Sequence, residues 1–278
     1  MCLACDFRFG PARGRRAFLL AAGAAAAAPA LAQVDVGEAS VARNLVPAES
    51  IERAGVQQYH QLLAQARAKG LLAPDGNAQL QRLRAIASKL IPFTAQWNPR
   101  AASWKWEVNL IASEQINAFC MPGGKIAFFA GILDRLKLSD DEVAMVMGHE
   151  MAHALREHAR ARLAKNAGTG AALSIAAQLL GLGQAGDLAA RAGTQLITLK
   201  FSRSDETDAD LVGLELAARA GYDPKASVSL WTKLAKASKS EGALGFLSTH
   251  PSGPDRIRVL QANLPKVEGL SGRLRNGG

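Results

Sequence analysis

The sequence predicts an α+β domain, mostly helical, with a small mixed sheet packed on one central helix. Three observations lead to this class. Apolar residues recur at helical spacing in two long stretches that start near residues 48 and 77. Three short stretches between residues 104 and 129 have strand-like patterns. A capped and almost uniformly apolar helix follows them, and it carries two histidines four residues apart.

Two amphipathic helices are predicted first. One runs from Ala48 to Lys69 and ends at Gly70. The other runs from about Asn77 to Ile91, where Pro92 stops it. Each has its apolar residues on one face, as a helix lying on a core does. His60 has no carboxylate or second histidine near it in the sequence, so we expect a surface or packing role.

The strand region begins at Trp104, where apolar and polar residues alternate as far as Leu110. Two further runs, 116–121 and 125–129, flank Pro122-Gly123-Gly124, a turn sequence of the hairpin kind. Together these runs predict a small antiparallel or mixed sheet. An exposed edge of that sheet could hold an extended peptide by backbone hydrogen bonds, whereas a covered edge would bind nothing.

A helix start is signalled at Ser139-Asp140-Asp141-Glu142, where a serine N-cap and a glutamate three residues later form a capping box. His149 and His153 then lie one turn apart on the same face, so their ring nitrogens can converge on one metal ion. Glu150 lies beside the first histidine and can serve as the general base of a zinc hydrolase. The alternative is an accidental match on a surface helix, which the apolar neighbours disfavour.

A third protein ligand is needed if the fourth zinc position is to hold water. The stretch from Phe201 opens a second helix in which Glu206 and Asp210 share a face, so one can bind the metal while the other orients a ligand imidazole. Asp205 and Asp208 are also present, and a solvated acidic helix start would have the same composition. Spacing alone therefore leaves the choice of ligand open.

Residues 156–162 are expected to form a polar tail of the first histidine helix. On a continuous helix His158 would point about 140° away from the ligand face, which makes it a poor candidate ligand. Residues 166–186 are uncharged and rich in glycine and alanine. Their low hydrophobicity argues against a transmembrane helix, and we expect a helical hairpin over the site that could also touch a membrane surface.

The first 32 residues are typical of a cleavable export signal. A basic segment ending in Arg15-Arg16 precedes an alanine-rich apolar segment and a small-residue cleavage site at Ala30-Leu31-Ala32. The arginine pair resembles a twin-arginine signal, with the general secretory route as the alternative. The sequence therefore predicts a periplasmic protein with one domain over residues 33–278 and a core at about 50–265.

The composition is that of a globular protein, with 278 residues of which 49% are hydrophobic and 21% charged. The formal net charge is +9, but lysines and arginines are scattered among acidic residues, so we expect no nucleic-acid partner. Cys120 is the one cysteine left after signal removal, which excludes an intramolecular disulfide. Its apolar neighbours predict a packed side chain.

Four spaced motifs resemble one known family, the zinc metallopeptidases that include the CAAX prenyl protease, HtpX, BepA and LoiP. The resemblance covers most of residues 50–265, and the soluble, exported branch is the better match because the sequence shows no set of transmembrane helices. We expect no tetratricopeptide tail after Pro265. The motifs are Asn117-Ala118-Phe119 with Pro122-Gly123-Gly124, Gly148 to His153, Ser202-Arg203 with Glu206, Ala209 and Asp210, and Ser248-Thr249-His250-Pro251-Ser252 with Asp255-Arg256-Ile257.

The resemblance implies a zincin-like fold with one zinc ion per chain, and it assigns roles to five polar residues of two motifs. His149, His153 and Glu206 are the implied zinc ligands. Glu150 is the implied catalytic glutamate, and Asp210 is the implied carboxylate that holds a ligand histidine.

By the same resemblance, His250 is a further active-site histidine that either stabilises the transition state or closes over the metal at rest. Asn117 and Ala118 are the implied substrate-binding residues. The implied activity is zinc-dependent cleavage of unfolded or misassembled proteins in the cell envelope, and peripheral contact with a membrane is compatible with it. Two alternatives stay open: a zinc-containing chaperone that binds peptides in the same groove, and a zinc hydrolase of a non-peptide substrate.

Overall fold

The structure is a computed structural model that describes residues 34–166, 196, 199–237, 244–250 and 254–275. The predicted signal peptide, residues 1–32, lies outside the described residues, as does nearly all of the glycine- and alanine-rich stretch 166–186. The predicted α+β class is confirmed, because helices predominate and a three-stranded sheet packs on the central helix. Among the described residues we find no helix whose length and hydropathy would suffice to cross a bilayer.

The first two helices form as predicted. Helix α1 spans Ala48–Ala68 and helix α2 spans Ala78–Leu90, and both bury their apolar face. Asn77 caps α2, since its side chain accepts a backbone hydrogen bond of 3.0 Å from the first turn. Pro92 follows in a short 3₁₀ turn. His60 is exposed on α1, which confirms its surface role.

The sheet contains strands β1 (Glu107–Ile111), β2 (Ala118–Met121) and β3 (Lys125–Phe129) in the order β1-β3-β2. Strand β3 runs parallel to β1 and antiparallel to β2, so the sheet is the mixed one of the two predicted types. The hairpin turns at Gly123 and Gly124, whose φ angles of +87° and +75° favour glycine. Strand β2 lies at one edge of this sheet.

Strand β1 begins later than the alternating pattern from Trp104 suggests. Backbone pairing starts at Glu107, whose N–H donates to the carbonyl of Gly124. The indole groups of Trp104 and Trp106 donate instead to acceptors outside the sheet. The alternation before residue 107 therefore reflects half-buried tryptophans that pack over a 3₁₀ turn, not a longer strand.

Helix α3 (Ala130–Leu136) leads to the central helix α4 (Asp140–Leu155). The predicted capping box is present: the Ser139 side chain accepts from the Glu142 N–H, and the Glu142 carboxylate accepts from the Ser139 N–H. Every residue from Glu142 to Leu155 is buried, so α4 is the core helix that its apolar composition predicted.

The polar tail predicted after α4 is wrong. The helix ends at Leu155, and Glu157 takes a left-handed φ of +57° that turns the chain. A separate helix, α5, then spans His158–Asn166. His158 and several apolar residues of α5 are buried, so this segment packs against the domain instead of continuing into solvent.

Helix α6 (Arg203–Arg219) crosses α4 at a pair of glycines. A Cβ on Gly213 would lie 2.6 Å from the backbone nitrogen of His149, and a Cβ on Gly148 would lie 2.8 Å from the carbonyl oxygen of Gly213. Only hydrogen at these positions allows so close an approach. Ser202 caps α6 through a capping box with Asp205, and Glu206 in the same first turn is buried.

Three further helices complete the described domain: α7 (Ala226–Ala237), α8 (Leu244–Thr249) and α9 (Pro254–Arg275). Helix α9 packs on α6, and α7 packs on α4. Trp231 of α7 and Phe246 of α8 lie against the imidazole of His149, with ring centroids 5.8 and 6.2 Å away. The imidazole of His149 is therefore packed against aromatic side chains from two other helices.

Candidate active site

Helix α4 directs His149 and His153 to one point. Their Nε2 atoms are 3.1 Å apart, and both residues are buried. Their four-residue spacing puts them on one helix face, and the ring of Phe201 stacks on His153 at a centroid distance of 3.9 Å. Packing thus holds the second ring in the orientation that allows both nitrogens to face the same ion.

Helix α6 brings Glu206 and Asp210 to these histidines. Glu206 Oε2 lies 3.6 Å from His149 Nε2, and Glu206 Oε1 lies 3.5 Å from His153 Nε2. Asp210 Oδ1 lies 3.0 Å from the other ring nitrogen of His149, Nδ1. Glu206 therefore faces the point that the two histidines share, whereas Asp210 stands behind one of them.

His250 follows α8 and joins the same group. Its Nδ1 is 3.3 Å from His149 Nε2 and 3.1 Å from Glu206 Oε1. The ring of Phe246 stacks on it at 4.5 Å. The facing atoms of His149, His153, Glu206 and His250 all lie within 4.8 Å of one another, and all four residues are buried. We call these four residues the site cluster.

The site cluster fits a zinc ion in donor type and in spacing. Imidazole nitrogen and carboxylate oxygen bind zinc at about 2.0 to 2.2 Å, so tetrahedral ligand atoms lie about 3.3 to 3.6 Å from each other. Five pairs of facing atoms in the cluster are 3.1 to 3.6 Å apart, and all the facing atoms lie within 4.8 Å of one another. One ion can therefore contact the cluster without a rearrangement of the helices.

Arg256 of α9 holds both carboxylates of α6. Its Nε and Nη2 donate to the two oxygens of Asp210, each at 2.7 Å, and its Nη1 lies 2.6 Å from Glu206 Oε2. The guanidinium lies 3.5 Å over the ring of Trp231. Burial raises the pKa of Asp210, but the charge of Arg256 and the hydrogen bonds from Arg256 and His149 together outweigh burial and hold this pKa below its usual value. Asp210 is therefore an anion that can orient His149.

Glu150 lies beside the cluster with one oxygen unpartnered. It is 3% exposed, and its Oε1 has no hydrogen-bond partner among the described residues, although His250 Nε2 is 3.5 Å away. Burial raises the pKa of Glu150. Burial also lowers the pKa of His153 well below its usual value, which keeps that ring in the neutral form that binds metals. A carboxylate with a raised pKa is suited to accepting and releasing a proton.

A pocket, here called the site pocket, opens on Glu150 and His153 from the edge of the sheet. Strand β2 and the residues that flank it form one wall, which includes Asn117 and Ala118. The predicted substrate-binding residues thus lie at the pocket, where the Asn117 side chain accepts a hydrogen bond from the Ala118 N–H. Leu199 and Phe201 also line this pocket.

A family model described as peptidase family M48 matches residues 77–264, a stretch that contains the whole site cluster. The chain belongs to peptidase family M48. The predicted family is thereby confirmed. M48 metallopeptidases use zinc, in agreement with the donor atoms and spacing of the cluster.

Several curated proteins are similar to this M48 chain. The mitochondrial metalloendopeptidase OMA1 of Arabidopsis thaliana is 41% identical over 161 residues, which cover 57% of this chain and 32% of that protein. Metalloprotease LoiP of Escherichia coli (strain K12) is 28% identical over 199 residues, 69% of this chain and 73% of LoiP. The beta-barrel assembly-enhancing protease of Yersinia pestis is 32% identical over 186 residues, 64% of this chain and 37% of that protein. The chain thus spans half or less of the length of the OMA1 relatives.

Two residues of the M48 site were not assigned a role from the sequence. Arg256 belongs to a motif that supported the resemblance, yet its contact with Asp210 joins α9 to α6, a tertiary pairing that no local pattern reveals. His158 was expected to point away from the site, but its Nδ1 lies 3.0 Å from His153 Nδ1. The prediction failed because it assumed that α4 continues past Leu155.

Proposed function

We propose that this chain is a zinc-dependent endopeptidase in which His149, His153 and Glu206 hold the metal and Glu150 is the catalytic base. The observation that carries the proposal is the unpartnered Oε1 of buried Glu150 beside a cluster of zinc-type donors. A buried carboxylate oxygen without a partner is costly, so its retention is best explained by a reacting group that it serves.

Bound zinc supplies a Lewis acid that lowers the pKa of water and polarises a scissile carbonyl. Glu150 takes a proton from the attacking water on Oε1 and delivers it to the leaving amine, a transfer that its raised pKa favours. Asp210, held by Arg256, lies 3.0 Å from Nδ1 of His149 and favours a hydrogen on that nitrogen, which would leave the lone pair of Nε2 directed into the cluster.

The substrate binds as an extended peptide along the edge strand β2. Among the described residues β2 pairs with β3 alone, and its outer side lines the site pocket next to Glu150. Backbone hydrogen bonds to such an edge do not depend on side-chain identity, so any sequence preference comes from the side chains that line the pocket and not from the strand. Asn117 and Ala118, at the start of β2, are the proposed contacts.

His250 caps the cluster in the arrangement described here. Its Nδ1 lies 3.3 Å from His149 Nε2 and 3.1 Å from Glu206 Oε1, so His250 would have to move aside for water to reach a metal held by His149, His153 and Glu206. Its Nε2, 3.5 Å from Glu150, keeps it near the reacting carbonyl, where it can donate to the developing oxyanion. The two roles predicted for this histidine therefore belong to two positions of one side chain.

The test is casein cleavage by zinc-loaded protein that has been purified and checked for metal content. Glu150→Gln should bind zinc as the unchanged protein does but lose cleavage by about 10²-fold or more. Glu114→Gln, at an exposed glutamate, is the matched control and should cleave normally. Undiminished cleavage by Glu150→Gln would refute the assignment of the base, and a zinc-free wild-type protein would refute the metal site.

We also propose unfolded or misassembled envelope proteins as substrates, with a periplasmic location and no nucleic-acid partner. The relatives' names divide between mitochondrial metalloendopeptidases and a beta-barrel assembly-enhancing protease. The twin-arginine-like leader favours the bacterial cell envelope over the mitochondrion. Fractionation of cells that express the full chain should place it in the periplasm, and recovery from the cytoplasm in processed form would contradict the proposal.

The closed, four-residue cluster favours one rival, a peptide-binding protein whose zinc is structural. The rival predicts that the pocket binds unfolded casein without cutting it and that Glu150→Gln changes nothing. The casein assay, run together with a binding measurement, separates the two. If the protein is an endopeptidase, wild-type protein should generate new peptide termini in casein, and a chelator should prevent their formation.

A further inference from the structure

His158 lies behind His153 in a chain of buried polar groups. Its Nδ1 is 3.0 Å from His153 Nδ1, and its Nε2 is 3.0 Å from Asp208 Oδ2. His158 is 5% exposed, and the ring centroids of the two histidines are 5.0 Å apart. Arg156 Nε donates to the same oxygen of Asp208 at 2.8 Å. The cluster thus has a second polar chain, separate from the pair of Asp210 and Arg256.

The hydrogen positions along this row of polar groups can be assigned from Asp208, whose carboxylate can only accept a hydrogen bond. The carboxylate of Asp208 has no hydrogen, so Nε2 of His158 must carry one and donate it. If His153 binds a metal through Nε2, that nitrogen keeps its lone pair and the hydrogen of the ring is on Nδ1. The facing Nδ1 of His158, 3.0 Å away, then accepts this hydrogen.

We propose that His158 is a positioning residue that fixes the tautomer and ring orientation of the metal ligand His153, and that Asp208 in turn fixes His158. The inference rests on the proposed function only in taking the site cluster as a metal site. Each of the two α4 histidines then has its own anchor: Asp210 behind His149, and the pair of His158 and Asp208 behind His153.

The turn between α4 and α5 makes this arrangement possible. Because Glu157 is left-handed, the residue five positions after His153 returns to the same side instead of facing away. Arg156 also donates to the carbonyl of Gly37 at 2.8 Å, so the turn is tied both to α6 through Asp208 and to the segment that precedes α1. The position of His158 is thus fixed from three parts of the chain.

The first test is the zinc affinity of the full chain, measured by competition with a chromophoric chelator. His158→Phe keeps a ring of similar size but has no acceptor, and it should weaken zinc binding by about 10- to 100-fold. In His158→Asn the amide oxygen is bonded to Cγ, as Nδ1 is in histidine, and can accept the same hydrogen. The zinc affinity of this variant should be within about threefold of wild type. His60→Phe, at an exposed histidine, is the control and should match wild type.

Two outcomes would overturn the proposal. One is a His158→Phe protein with wild-type zinc affinity. The other is an equal loss in His158→Phe and His158→Asn, which would mean that the ring is needed for packing alone. Should His158→Phe not fold, Asp208→Asn replaces it, because this variant keeps size and shape but removes the charge. It should weaken zinc binding by about tenfold, and unchanged binding would contradict the proposed chain.

A spectroscopic signature completes the test without any need for catalysis. Long-range ¹H–¹⁵N NMR of the zinc-loaded protein should show His158 with its hydrogen on Nε2 and His153 with its hydrogen on Nδ1. The reverse tautomer on either ring would overturn the proposal. A protein that binds zinc with these tautomers but does not cleave casein would refute the proposed function and leave the positioning role intact.

Discussion

Gly148 and Gly213 touch across the crossing of α4 and α6, so closely that a Cβ on the second would lie 2.6 Å from the backbone of His149. The distance between the helix that carries the histidines and the helix that carries Glu206 is therefore set by backbone contact. Side chains elsewhere in the core adjust to this distance but do not determine it.

Gly213→Ala should force the two helices apart. We expect it to lower the free energy of unfolding by about 1 to 3 kcal/mol, the usual cost of overpacking, and to weaken zinc binding because Glu206 is displaced from His149. Urea unfolding and chelator competition measure the two effects. Gly269→Ala in α9, where nothing lies within 4 Å of the added methyl, should be neutral or stabilising by up to about 1 kcal/mol. Equal changes in unfolding free energy and zinc affinity in the two variants would contradict the claim that Gly213 sets the distance between α4 and α6.

Arg256→Met should leave the carboxylates of Asp210 and Glu206 buried without their cation. Removing one partner of a buried ion pair typically costs about 3 to 5 kcal/mol, and urea unfolding of the metal-free protein should show a loss of this size. Arg256→Lys keeps the charge but not the forked geometry of the guanidinium, so its free energy of unfolding should lie between those of Arg256→Met and wild type. Arg258→Met, at a residue whose side chain is 76% exposed, should cost less than about 1 kcal/mol.

The carboxylate of Glu142 should stabilise the fold at neutral pH and not in acid. Burial raises its pKa, but hydrogen bonds from Lys233, the Ser139 backbone and Ser229 outweigh burial and hold this pKa below its usual value. A lowered pKa in the folded state gives stability that is full above the unfolded value of about 4.3 and is lost as pH falls through the folded value.

Glu142→Gln should therefore be less stable than wild type at pH 7, by about 1 kcal/mol, with the difference shrinking below pH 4. Urea midpoints at a series of pH values measure it, and Glu114→Gln is the exposed control. A difference that stays constant from pH 7 to pH 3 would show that packing, not charge, explains the effect.

The site pocket predicts a preference for apolar side chains beside the scissile bond, since Phe119, Leu199 and Phe201 line it. Mass spectrometry of casein fragments should find such residues next to most cuts. Leu199→Glu should lower kcat/KM at these sites by about 10- to 200-fold, while Leu71→Glu, at an exposed leucine, should not. Cleavage sites with no side-chain preference would contradict this assignment.

Much of the site could be predicted because its signals are local. His149 and His153 are one turn apart on a helix whose capping box is complete in the sequence, and that helix is continuous between Ser139 and Leu155. The same holds for Glu206 and Asp210 on α6, although only the fold decides which of them faces the cluster. Cys120 is buried as its apolar neighbours predicted, and burial raises the pKa of its thiol.

The errors and omissions concern tertiary structure. No glycine or proline marks the end of α4, so the turn at Glu157 and the return of His158 could not be seen in the sequence. Strand β1 pairs in parallel with β3, although β2 lies between them in the sequence. An alternating pattern predicts which face of a strand is buried but not which strand lies beside it. The contact of Arg256 with Asp210 spans 46 residues and exists only once α9 has docked.

The residues of the site cluster come from three segments, and the outermost pair is 101 positions apart in the chain. An unfolded polypeptide cannot gather them, so an ion that binds this arrangement binds the native state selectively. At a free concentration one hundred times its dissociation constant, such an ion adds about 2.7 kcal/mol to the native state. The durability of the protein thus follows the zinc supply of its surroundings, and a starved cell would hold copies that are both inactive and easier for other proteases to degrade.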